Sequence, residues 1–347
     1  MYHIFIAFAL LIFFSFYKEE IFRHLSFLVL AYMFSTMPEE IPDVSIYLRD
    51  YSNPYEDYIA ASLEPGFWLL NVFLGDILQV PFGIFLFILT LFMMELWYFV
   101  TNKLLPKDNA GFCFLLFLSY SGFFYMGVTL RNAMSLMFCY LALMVLFTTK
   151  GVKKYIYYLL LLFLSASFHR TSFLFLLIPF VDAIVINREK LNCWLIINVV
   201  LFFMGFAVLS RFSGFFMGFG GLDKYEEFVE GSHGASIVSL WFLMNLFLAL
   251  VMISTRKYVY ADYVKIFDFF LKVVLVGLSF NFAGWQLGGT IQRLAGAFYF
   301  YNFVPLYLLI FKSSFIKNNM NRRMLAIYIS SICFFVLLYC QSFLLYY

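Results

Sequence analysis

Charge is what this sequence has least of. Only 12% of its 347 residues are Asp, Glu, Lys or Arg, and the formal net charge is +3. A soluble domain carries about a quarter charged residues, so a soluble globular fold is excluded. A balance this close to neutral offers no basic face to nucleic acid, and no nucleic-acid partner is expected.

The motifs of nucleotide and hydrolytic chemistry are missing as well. There is no GxxxxGK[ST] loop, no GxSxG elbow, no HExxH and no DxD pair. The basic breaks between apolar runs are short and leave no room for a nucleotide-binding domain. ATP-driven transport and cytosolic nucleotide-sugar chemistry are therefore excluded. The five cysteines, Cys113, Cys139, Cys193, Cys333 and Cys340, all fall inside apolar runs, with no CxxC and no His at ligand spacing. They read as buried thiols, and neither a metal nor a cofactor is expected. The first residues, MYHIFIAFALLIFFSFYKEE, lack a basic n-region and a small-residue cleavage site, and read as a retained first helix.

What is present is apolar surface. The chain is 64% hydrophobic and contains fifty Phe and twenty-five Tyr. The apolar runs are continuous rather than alternating, which favours helices over a barrel. The expected fold is all-α, a polytopic membrane helical bundle occupying 1–347 as one integral membrane domain. About twelve spans are predicted, over 2–16, 25–36, 80–100, 110–127, 132–148, 156–168, 171–186, 193–210, 237–254, 266–283, 294–311 and 324–342.

Basic residues in short loops set the orientation. Sixteen of the twenty-three Lys and Arg fall in alternate breaks, at 17–24, 101–109, 149–155, 187–192, 255–265 and 312–323. Those breaks are assigned to the cytoplasm, which puts both termini outside. The loops 37–63 and 211–236 then face outward, and both are acidic. Between the first of them and the third span lies EPGFWLLNVFLGDILQVP, with Pro65 at a first helical position and Pro81 at its end. Asn71, Asp76 and Gln79 make 65–79 an amphipathic helix at the outer interface, not a span.

The topology did not need the basic residues left on the outer side. Arg131 in VTLRNAM, Arg170 in FHRTS, Arg211 in LSRFS and Arg293 in IQRLA all sit at or beside helix ends. His169 and Arg170 interrupt an apolar run that otherwise extends from Ile156 to Ile186. An ionised side chain inside a span costs roughly 2.5–3.5 kcal/mol on insertion scales. Arginine forks bind phosphate oxygens bidentately and stay charged in a low dielectric, while tyrosines such as Tyr47 and Tyr225 can stack on sugar faces. Together they suit an amphiphile with an anionic, sugar-bearing head. A lipid pyrophosphate carrying sugars meets that description. Its pyrophosphate is already a good leaving group, so arginines could neutralise the developing charge without a metal. A carboxylate or His could take the proton from an attacking hydroxyl.

Taken in order, PDVSIY, EPGFWLLN, TLRNAM, ASFHRTS, DKYEEF and QRLAGAF resemble the EpsG-like branch of the Wzy-type O-antigen and exopolysaccharide polymerases. Carried over, the family pattern falls on Asp43 with Tyr47, Glu64, Arg131, His169 and Arg293. Asn132 stands where the pattern has Gln, and Phe228 where it has a second Tyr. The resemblance implies a GT-C-like glycosyltransferase in a bacterial inner membrane, working at the outer face. It would polymerise undecaprenyl-pyrophosphate-linked oligosaccharide repeat units, with membrane lipid around it and a chain-length regulator as a further partner. In that scheme Glu64 or Asp43 is the base, and His169 and Arg170 lie beside the pyrophosphate. Arg131 and Arg293, with Arg211, bind phosphate, and Tyr47 and Tyr225 contact sugar. Three other readings stand beside it. An O-antigen ligase uses the same donor. A flippase or transporter should line a midplane path with its charges, and here they gather at one face. A membrane-bound O-acyltransferase would need acyl-CoA from the side opposite His169.

Overall fold

The computed structural model describes residues 2–17, 19–37, 41–55, 64–183, 240–283 and 288–340. Among these residues it is helical, with no β-strand. The predicted runs 193–210 and loop 211–236 lie outside the described residues, as do Arg211 and Tyr225.

The helices are α1 Tyr2–Phe14, α2 Glu19–Ser35, α3 Pro42–Ser52, α4 Pro65–Asn71, α5 Phe82–Leu104, α6 Ala110–Gly127, α7 Leu130–Thr148 and α8 Lys153–Phe168. They continue as α9 Ile178–Ala183, α10 Leu240–Thr255, α11 Ala261–Ala283, α12 Gly288–Tyr299, α13 Phe303–Phe311 and α14 Asn319–Cys340. Six segments are long and apolar enough to cross a bilayer: α5, α6, α7, Leu240–Tyr258, Leu294–Phe311 and α14. The structure thus supports six spans among the described residues where about twelve were expected. The apolar run from 156 to 186 shows one reason. It is broken at His169 into α8 and a 3₁₀ segment, Arg170–Leu177, before the short α9, so neither half reaches the roughly 20 residues a span needs. The long α11 is diluted by Asp262, Lys265, Asp268 and Lys272.

Contacts divide the chain into two compact units, Met1–Leu177 with Leu306–Tyr347, and Ile178–Pro305. In the first, α6 is buried on nearly all sides, with Phe112, Phe114, Leu118 and Phe123 sealed. Trp97 of α5 packs on Phe114 and Phe117, ring centroids 4.8 and 5.4 Å away. By contrast α8 turns Ile156, Leu160 and Phe163 outward, at 51%, 61% and 61% exposure. Such bare apolar area is the surface a membrane protein gives to lipid.

The segment 37–63 was expected to be a loop, but α3 occupies Pro42–Ser52 within it. Pro42 opens the helix, and Val44, Tyr47 and Tyr51 share its buried face at helical spacing. Beyond Asn71, α4 widens into a π-helical stretch, Val72–Ile77, before Gln79 adopts a left-handed φ of 50°. Leu69, Phe73, Ile77 and Leu78 are exposed along this stretch. Tyr51 ties α3 to its end by donating to the Val80 carbonyl at 2.6 Å.

In the second unit, α11 packs on α10 and α12. Buried amides join the helices: Asn302 Nδ2 donates to Asn245 Oδ1 at 2.9 Å, and Asn281 Nδ2 to the Tyr299 hydroxyl at 2.6 Å. Interhelical bonds of this kind hold membrane bundles where water gives no hydrophobic push. Arg256, between α10 and α11, meets Asp268 bidentately, Nε to Oδ1 at 2.6 Å and Nη2 to Oδ2 at 2.5 Å.

Candidate active site

Three helix ends of the first unit meet at one place. Glu64 is the residue before α4, Arg131 is the second residue of α7, and His169 is the residue after α8. The Glu64 carboxylate joins them. Its Oε1 lies 2.5 Å from His169 Nδ1, and its Oε2 lies 3.0 Å from Arg131 Nη1. The backbone N–H of Arg170 donates to the same carboxylate. The Glu64 side chain makes no capping bond to α4, because a guanidinium and an imidazole are stronger partners.

The approach is close because Gly66 allows it. A Cβ on Gly66 would fall 2.3 Å from Ser167 Oγ and 3.0 Å from the Ser167 carbonyl oxygen. Any side chain there drives the start of α4 away from the end of α8. With it would go the contact between Glu64 and His169.

On its other side Arg131 is held by aromatics. Its guanidinium carbon lies 5.6 Å from the Tyr47 ring centre and 6.0 Å from that of Phe67, both within cation–π range. The Tyr47 hydroxyl accepts from the Arg131 guanidinium and from its backbone N–H. The latter is one of the unpaired donors at the start of α7, whose own N-cap residue, Thr129, makes no side-chain cap. Asp43 lies one turn before Tyr47 on α3 and acts on it through its charge.

These neighbours set the protonation of the groups outside the spans. Burial alone would push the Glu64 carboxyl up. The hydrogen bond and charge of His169, the charge of Arg131 and the Arg170 N–H outweigh it and hold the carboxyl below its ordinary value. Glu64 is thus a carboxylate at neutral pH. Burial pushes the Tyr47 phenol far up, and Asp43 adds to the shift while Arg131 opposes it. Tyr47 keeps its proton.

The structure therefore brings together Glu64, Arg131, His169 and Tyr47, with Asp43 and Arg170 adjoining. Tyr47 is only 4% exposed, its ring covered by Arg131 and Phe67. Arg170 is exposed. Arg293 lies on α12, in the other unit. Among the described residues no group of three His, Cys, Asp or Glu side chains could hold a metal ion.

Sequence reasoning missed Gly66, Phe67, Ser135 and Ser165. The last two had a signal: each lies four residues from a site residue, Ser135 after Arg131 and Ser165 before His169. The hydroxyls are 3.0 Å apart, and Ser135 Oγ donates to the His169 carbonyl at 3.2 Å.

Compared with known proteins, residues 20–346 match the family model described as EpsG family. No curated protein and no solved structure matches the chain.

Proposed function

The chain belongs to the EpsG family, a Wzy-like polymerase family, and from that premise we propose that Glu64, Arg131 and His169 catalyse glycan polymerisation on a lipid-linked donor. Family membership implies a polymerase-type glycosyltransferase in a membrane. The proposed donor is the growing glycan on undecaprenyl pyrophosphate, and the proposed acceptor is a sugar hydroxyl of another lipid-linked repeat unit. The reaction is assigned to the outer face of a bacterial inner membrane.

The observation that carries this reading is the double engagement of Glu64 by His169 and Arg131. With Oε1 bonded to His169, Oε2 ion-paired with Arg131 and its pKa lowered, Glu64 is a poor proton acceptor. It is well suited to hold His169 through Nδ1–H, which leaves Nε2 to serve as the base. The acceptor oxygen attacks the anomeric carbon of the donor sugar while its proton passes to His169 Nε2. The bond from that carbon to the pyrophosphate oxygen breaks, and undecaprenyl pyrophosphate leaves with the electron pair. Arg131 meets the charge that develops there. Arg293 and Arg211 keep the phosphate-binding role that the resemblance implies, and Arg170 is assigned to the membrane edge of the site. Tyr47 keeps Arg131 in place instead of stacking on sugar. Asp43 and Tyr225 are assigned to the acceptor glycan.

The test is incubation of the purified protein with lipid-linked repeat unit alone. A ladder of products is expected. No product without lipid A core would point to a ligase, and movement of the intact lipid across the bilayer would point to a flippase.

A further inference from the structure

Beneath the site, a ladder of buried hydroxyls runs between α7 and α8. Arg131, Ser135 and Cys139 are spaced four apart on α7, so they form one stripe. Ser165 and His169 are spaced likewise at the end of α8. Ser135 and Ser165 are both wholly buried. The Ser165 hydroxyl donates to the Ser135 carbonyl at 2.6 Å and lies 3.2 Å from Cys139 Sγ. The Ser135 hydroxyl donates to the His169 carbonyl at 3.2 Å, and the Ser172 hydroxyl donates to the same carbonyl at 2.9 Å.

His169 has left the helix, with φ −159° and ψ 127°, and its carbonyl opens the following 3₁₀ segment by accepting from the Ser172 N–H at 3.3 Å. The Ser135 hydroxyl is the donor that reaches it from another helix. A buried serine costs more to desolvate than alanine of nearly the same size unless it is hydrogen-bonded. Close packing of two membrane helices needs only small residues. Packing alone therefore does not account for a hydroxyl that reaches across to the main chain of the histidine.

We propose that Ser135 is a positioning residue for His169, its hydroxyl tying that residue to the Arg131 helix so that Nδ1 meets Glu64. The proposal rests on His169 being the base. Arg131 and His169 then keep a fixed spacing, since one turn of α7 carries both the phosphate ligand and the tether of the base.

The experiment measures polymer formation by full-length Ser135→Ala and Ser135→Thr proteins in nanodiscs, against lipid-linked repeat unit, across pH 5 to 9. For Ser135→Ala, turnover should fall about tenfold to a hundredfold, as for a misplaced catalytic group, with KM unchanged. The loss should appear in kcat and leave donor binding as it is, because the imidazole is misplaced and not removed. Ser135→Thr, which keeps the hydroxyl, should recover much of the rate. A wild-type rate in Ser135→Ala would overturn the proposal. So would a lower yield of folded protein whose turnover per folded molecule matches wild type. If Ser135→Ala does not accumulate, Ser135→Cys, with a weaker donor of similar size, is read by the same criteria. His169→Gln is measured alongside. Wild-type turnover there removes the base assignment itself, whatever the serine variants do.

Discussion

Arg256 and Asp268 meet fork to fork, through two short hydrogen bonds. Arg131 and Glu64 meet through one guanidinium nitrogen, and the other carboxylate oxygen belongs to His169. The first pair is closed: each partner answers the other, and the result is a clasp between the end of α10 and α11. The second is shared among three helix ends and two aromatic rings, so its parts can be re-partnered without unfolding an element. A closed pair suits a fold, and a shared one suits a site where charge must be received.

That contrast can be broken most sharply at His169. In His169→Ala, turnover should fall by about two to four orders of magnitude, the usual worth of a general base, while affinity for the lipid donor holds. Loss of donor affinity at unchanged turnover would place the imidazole on the phosphate instead. Arg131→Lys comes next, with an expected loss of about a hundredfold or more, because a point charge lacks the fork and the stacking surface. The matching change Arg256→Lys should leave polymer yield unaltered and cost at most about 1 kcal/mol, the pair being partly exposed. Equal losses in both variants would erase the distinction.

Gly66→Ala should cost about tenfold to a hundredfold in turnover with folding intact, since it parts Glu64 from His169 without removing either. Rates matched to wild type would mean that α4 can yield at that point.

The smallest effect is one of pH. The folded-state pKa of Glu64 lies below its ordinary 4.5. The stability it contributes is therefore whole above pH 4.5 and is lost as pH falls through the lower folded value. Thermal unfolding in detergent should show that loss in wild type and lack it in Glu64→Gln.

Much of this was legible in the residues. Glu64 before Pro65, Arg131 at the head of an apolar run and His169 inside one were each out of place chemically, and each proved to be a helix end. The partners of these residues were less legible, because they depend on which helices touch. Nothing in SASFHRTS says that its first residue, Ser165, faces Ser135, thirty residues away. Nor does PEEIPDVS announce α3, since its prolines and acids resemble a loop until the Val44–Tyr47–Tyr51 face is seen buried. Hydropathy could not tell a full crossing from a run that breaks at its histidine, and six candidate spans stand among the described residues where about twelve were expected. The 211–236 loop and its Tyr225 lie outside the described residues.

The clasp of Glu64 on Arg131 also bears on how the protein is made. Arg131 heads a membrane span, and a guanidinium there without a counter-charge would burden insertion, though by less than the roughly 2.5–3.5 kcal/mol of a helix centre. Glu64 lies sixty-seven residues earlier, so it has left the ribosome before Arg131 does. The counter-charge is at hand when the arginine first meets the bilayer. Biogenesis then asks nothing of the substrate, and the chain supplies from its own sequence the anion that its arginine needs.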